Sequence, residues 1–279
     1  MSYKTILVHV DNSKQCAARI DLAARLADEF EAHLTGLYVS YIAKLRDYPF
    51  EGSLAPIAST MLHDADVYEK KAATLFDERI QCAGLSKTEW RRADGYVEDA
   101  IQLNARYADL VVVGQPDFGE SALATPLDFP ALLALAIPRP ILVVPNAGTF
   151  TRIGHNVLVA WNGSGEATRA VTNALPLLRR AEKVTVLAVN PVHGKTTHGE
   201  IPCADIALYL ARHGVKAEAV YEENIQTDIG NWLLACAADY DSDLIVLGAY
   251  GHFRLRELVL GGVTQTLMRK MTVPLLLSH

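Results

Sequence analysis

The sequence predicts an α/β protein built from two tandem, doubly wound, five-stranded parallel-sheet domains. Three observations carry that expectation: a length of 279 residues with half of them apolar, short β-rich runs alternating with helical patterns, and an internal repeat. At roughly 150 residues per domain the length accommodates two cores. The alternation implies βαβ units with right-handed crossovers.

The repeat fixes the order of elements. Residues 6–13 (ILVHVDNS) pair with 157–164 (VLVAWNGS), 151 positions later. Residues 109–114 (DLVVVG) pair with 243–248 (DLIVLG), and 140–144 (PILVV) with 274–278 (PLLLS), both 134 positions later. Leu37-Tyr-Val39 still matches Leu187-Ala-Val189 at 150, so the first half's excess of 17 residues (151 − 134) falls after its second strand. Residues 41–59 are therefore an insertion, and their aromatics, prolines and small residues without a period suggest an ordered surface excursion. With a linker at 146–155, the domains are expected at 1–145 and 156–279.

Helices are expected over 16–30, 167–180, 202–213 and 225–240. The uniformly apolar runs 110–113 and 244–247 suit central parallel strands covered on both faces. Ser13 and Ser164 are placed to cap the first helix of each half, and Gly214 to end the helix before it. The last strands, 141–144 and 275–277, would leave open edges, so they are expected to close on one another as an intramolecular pseudo-dimer. The sequence leaves a further homodimer open.

Composition excludes several functions. A net charge of −6 with scattered Lys and Arg offers no stripe for nucleic acid. No apolar run approaches the roughly 20 residues of a membrane span. The start, MSYKTILVHV, lacks the basic region and cleavage site of a signal peptide, so a cytoplasmic location is expected. Cys16, Cys82, Cys203 and Cys236 form no CxxC pair and are expected as reduced core residues. His193 and His198 have no third partner, so no metal site is assigned. Ser164 lacks both nucleophile-elbow spacing and a His/Asp partner, so no catalytic residue is assigned either.

The segment with chemistry is Gly248-x2-Gly251-x9-Gly261-Gly262, between the fourth strand of the second half and its last helix. In open parallel sheets ligands bind beyond the strands' carboxyl ends, where a helix N-terminus offers unpaired N–H groups and a positive partial charge. Glycines let such a backbone approach an anion closely. No Gly-Lys-[Ser/Thr] follows, so the loop is not a Walker A motif.

This loop resembles the G-x2-G-x9-G-[Ser/Thr] nucleotide motif of universal stress proteins, and the repeat extends the likeness over nearly the whole chain. The resemblance implies the Rossmann-like, adenine nucleotide alpha hydrolase-like fold. It also implies ATP or another adenine nucleotide as ligand, with Mg2+ entering only alongside it. By the same resemblance adenine would meet Ala160, Asn162 and Val189, and ribose and phosphates Gly248, Gly251, Gly261, Gly262 and Val263, with Leu247 and Thr264 completing the binding set. Asn162 stands where ATP-binding members commonly carry Asp, and Gly262 where they carry Ser or Thr. Losing that hydroxyl removes a bond to a charged group and weakens binding by about tenfold or more.

In the first half Gly114 matches Gly248, but Asp117, Leu127 and Asp128 stand opposite Gly251, Gly261 and Gly262. With Glu120 these acids oppose an anion, so one nucleotide site is expected per chain. His252 lies inside the second loop, while Arg254 and Arg256 are left outside the site as solvent-facing charges. The expected role is a non-enzymatic nucleotide-responsive switch acting on an unidentified protein partner. The alternative is a scaffold with a vestigial pocket.

Overall fold

The computed structural model describes residues 2–40, 55–116, 129–191, 202–249 and 262–279. The chain divides into two compact units, Tyr3–Gly114 and Gln115–His279. The boundary thus falls inside the first repeat, before its last strand.

The Tyr3–Gly114 unit runs β1 (Thr5–Val10), α1 (Cys16–Phe30), β2 (His33–Ser40), α2 (Ala55–Ala83), β3 (Thr88–Asp94), α3 (Val97–Ala105) and β4 (Leu110–Gly114). Its strands are parallel in the order β3-β2-β1-β4. Winding reverses between β1 and β4, which creates a crevice at their carboxyl ends.

The Gln115–His279 unit runs α4 (Phe129–Ala136), β5 (Ile141–Val144), β6 (Asn156–Ala160), α5 (Gly165–Leu178), β7 (Lys183–Val189), α6 (Ala204–Arg212), β8 (Ala217–Glu222), α7 (Ile229–Asp239), β9 (Leu244–Gly248), α8 (Gly262–Lys270) and β10 (Leu275–Ser278). Its strand order is β5-β10-β9-β6-β7-β8, with the reversal between β6 and β9. Every pair is parallel except β5 with β10, which are antiparallel with Leu142 opposite Leu276. The pairing expected of the two last strands is therefore present. Each repeat contributes five strands, and β4 and β9 are buried along their apolar runs.

Local chemistry explains the boundaries and corrects some expectations. Ser164 caps α5, its Oγ accepting from Ala167 N at 3.2 Å. Gly214, at φ 78°, follows α6 as expected. Ser13 does not cap α1: its hydroxyl donates to Asp11 Oδ1 at 2.6 Å, and the helix starts at Cys16. The carboxylate is the stronger acceptor within reach, so the hydroxyl turns away from the helix. The 225–240 helix starts later, at Ile229, because Asp228 Oδ1 accepts from Asn231 N at 2.9 Å and sets the cap there.

The insertion is partly helical. Residues 55–59, expected in the surface excursion, are the first turn of α2, where Pro56 is tolerated because first-turn N–H groups lack helical partners. Residues 41–54 lie outside the described residues. Buried Ala58, Ala65, Ala72, Phe76 and Ile80 recur at spacings of seven and four, which keeps one stripe of α2 against the core. Cys82 falls off that stripe and is exposed, contrary to the core role expected of it, while Cys16, Cys203 and Cys236 are buried. Among the described residues no helix is long and apolar enough to cross a membrane.

Candidate functional site

The second repeat assembles its expected site residues at the carboxyl ends of β6, β7 and β9. Ala160 lies in register with Leu247 on one side and Leu187 on the other, and Val189 ends β7. Asn162 is exposed in the turn after β6, its Oδ1 accepting from Ser164 N at 3.1 Å. That bond and the Ser164 cap form the turn at this strand end, and the Asn162 side-chain nitrogen makes no hydrogen bond among the described residues. Parallel β9 and β10 require α8 to run back along the sheet, so its first turn, Gly262, Val263 and Thr264, lies at this same end. Gly262 is exposed and Thr264 buried. Gly251, Gly261, His252, Arg254 and Arg256 lie outside the described residues.

Gly248 has a packing reason to be glycine. A Cβ there would collide with the backbone of Ala167 and come within 2.6 Å of the Glu166 carbonyl carbon. The bare backbone thus lets the first turn of α5 lie directly on the end of β9.

The first repeat fills the equivalent crevice with charge. Arg19, on the inner face of α1, is 2% exposed; its Nε donates to His9 O at 2.8 Å and its Nη2 lies 2.8 Å from Asp11 Oδ1. That carboxylate oxygen also accepts from Ser13 N at 3.0 Å. A Cβ on Gly114 would collide with Arg19 Nη1, so the guanidinium occupies the space above the end of β4. Burial opposes ionisation of Asp11, but Arg19, then His9 and the bonds from Ser13, hold its carboxyl well below the usual range. Burial pushes the His9 imidazole down to about 4, with Asp11 opposing and Arg19 reinforcing the shift. The repeat's own spacing places Ala160, Asn162 and Ala170 at the positions of His9, Asp11 and Arg19. Asp117, Glu120, Leu127 and Asp128 lie outside the described residues.

The family model described as Universal stress protein family matches residues 2–124 and again 154–279. The chain belongs to the universal stress protein family. A universal stress protein of Synechocystis sp. is 24% identical, the match covering 98% of this chain and 99% of that one. Among solved structures, a universal stress protein from Archaeoglobus fulgidus aligns with a TM-score of 0.72 at 16% identity, covering 98% and 95% of the two chains. A protein of unknown function from Pseudomonas aeruginosa PAO1 aligns at 0.58 and 14% identity over 99% and 92%. These likenesses show the universal stress protein fold along the whole chain.

Sequence reasoning missed two features of this universal stress protein. The first is Arg19, whose signal is a single cation on the apolar stripe of Cys16, Ile20, Ala23 and Ala27. The second is Asn190, which follows β7 with φ 47°. Its Oδ1 accepts from Ile225 N at 2.9 Å and its Nδ2 donates to Ile225 O at 2.8 Å, pinning the loop after β8 at the rim of the candidate site. Its αL backbone leaves no mark that hydrophobic periodicity could register.

Proposed function

We propose that the second repeat binds ATP or a related adenine nucleotide, and that occupancy alters contacts with another protein in the cytoplasm without turnover. The observation that supports this most is the contrast between homologous crevices. Arg19 and Asp11 bring an ion pair to the first, whereas the second has the small Ala160 and Ala170 and the neutral Asn162 at the same positions, beside the strand end from which α8 starts. On this reading Asn162 offers an acceptor and donors to adenine, and backbone N–H groups of α8 face the phosphates. Mg2+ would arrive with the nucleotide as its counterion.

Isothermal titration of the nucleotide-stripped chain with ATP and Mg2+, then AMP, tests it. Saturable binding near one nucleotide per chain, lost in Gly261→Val, is the expected result. Absence of binding at millimolar ATP favours a scaffold with an empty vestigial pocket, a reading supported by the glycine at position 262.

A further inference from the structure

The helix that begins at Gly262 is held by residues distant from its N-terminus. On one side it packs on α7: Thr266 Oγ1 donates to Asp228 Oδ2 at 3.3 Å, and Lys270 Nζ donates to Asn231 Oδ1 at 3.0 Å. A Cβ on Gly230 would stand 2.7 Å from Thr266 Cβ, so the glycine admits this close approach. A further hold comes from the first repeat. Gln115, the residue after β4, donates from Nε2 to Met268 O at 2.7 Å. Met268 lies in the last turn of α8, whose carbonyls have no helical N–H partner.

Gln115 is itself fixed at two points and its neighbour Pro116 at a third. Its backbone N donates to Val144 O at 2.8 Å, its Oε1 accepts from Asn146 N at 2.9 Å, and Asn146 Nδ2 donates to Pro116 O at 3.2 Å. The amide thus joins the end of β5 to the last turn of α8, within the Gln115–His279 unit. With Leu267 and Met268 buried beneath it, α8 moves at its N-terminus only if these contacts yield.

We infer that Gln115 is a positioning residue for α8, whose first turn belongs to the second repeat's candidate ligand site, so that the first repeat serves that site through one side-chain amide. The inference rests on the nucleotide-binding reading above. It gives the strand end after Gly114 a use in a repeat whose own loop has lost its glycines.

Two variants of the full chain isolate the bond. Gln115→Met removes both side-chain bonds at similar volume. Gln115→Glu keeps an acceptor for Asn146 N but loses the donor to Met268 O. The added charge sits at Met268, six residues or about 9 Å along the helix from Gly262, just beyond the roughly 8 Å screening length of physiological salt. Asn156→Ala, which breaks the bond from Asn156 Nδ2 to Asp241 O at the opposite end of the sheet, is the control.

Both Gln115 variants are expected to weaken ATP binding by roughly three- to tenfold, and to speed amide exchange across 265–271, while Asn156→Ala changes neither. Wild-type affinity in both Gln115 variants would overturn the inference and leave the binding reading intact. Absence of binding in the wild type would overturn that reading instead. Amide exchange then still decides the positioning role, because unchanged exchange in α8 overturns it.

Discussion

The two repeats carry one architecture and two chemistries at the same strand end. After β1, Asp11 Oδ1 accepts from Ser13 N, and after β6, Asn162 Oδ1 accepts from Ser164 N, so the turn is the same device twice. What differs is the hydroxyl. The Ser13 hydroxyl donates to the Asp11 carboxylate and is turned away from its helix, whereas Ser164 Oγ accepts from Ala167 N and caps its helix. The anion at position 11 then recruits Arg19 from α1, and the guanidinium takes the space above Gly114. Asp11 where the second repeat has Asn162, and Arg19 eight residues on where it has Ala170, put an ion pair at a strand end that is neutral in the second repeat. The comparison teaches that a duplicated domain can keep one turn and place different chemistry behind it.

The largest expected effect comes from breaking that pair. Arg19→Ala should destabilise the Tyr3–Gly114 unit by about 3 kcal/mol, the low end of the cost of breaking a buried pair. The low end applies because the Asp11 side chain is 33% exposed and can rehydrate. Urea denaturation followed by amide exchange in β1 and β4 measures it. The triple change His9→Ala, Asp11→Asn and Arg19→Ala, which copies the second repeat, should lose less than the single variant. Wild-type stability in Arg19→Ala would show that the ion pair is not what fills the crevice.

Acid sharpens the same contrast by a comparable amount. His9 is held neutral, its pKa lowered to about 4 from 6.5, so the unfolded chain binds more protons between those values. Stability from this group is complete above about 6.5 and falls as pH drops towards 4, by on the order of 3 kcal/mol. Asp11, also lowered, adds a further loss below the ordinary carboxylate range. The second repeat has Ala160 and Asn162 at these positions, neither of which titrates. Exchange rates should therefore rise in β1 and β4 before β6 and β9, and His9→Gln should flatten the difference.

The smallest effect tests the open side. A Cβ on Gly262 meets nothing within 4 Å, so Gly262→Ser should tighten ATP binding by about tenfold with no change in melting temperature. Unchanged affinity would remove the first turn of α8 from the phosphate site.

Much of the fold was legible because βαβ alternation and a repeat are linear signals. The pairing of 141–144 with 275–277 followed from the rule that open edges must be managed. The start of α2 was not legible, because its stripe uses alanines at 58, 65 and 72, which carry little hydrophobic contrast. At the site, Ala160, Asn162, Leu247 and Gly248 could be placed by their spacing from strand ends. The fate of Asp11 could not. Whether an arginine two turns from an acid faces solvent or folds inward depends on the packing of α1 over β1 and β4, which the sequence does not encode locally. Gln115 was invisible for the same reason, since its partner Met268 lies 153 residues away.

The antiparallel junction of β5 and β10 bears on how the protein responds to its own abundance. Were those strands on separate chains, their association would follow mass action and fail on dilution. Here a covalent tether supplies an effective concentration, of millimolar order for short flexible linkers, that no change in expression alters. The junction therefore persists in a single molecule. Because β5 belongs to the compact unit Gln115–His279, a protease nick in the linker 146–155 would not release a self-sufficient second repeat. It would leave two fragments, 1–145 and 156–279, that still need each other, and the cut chain should behave as a complemented pair.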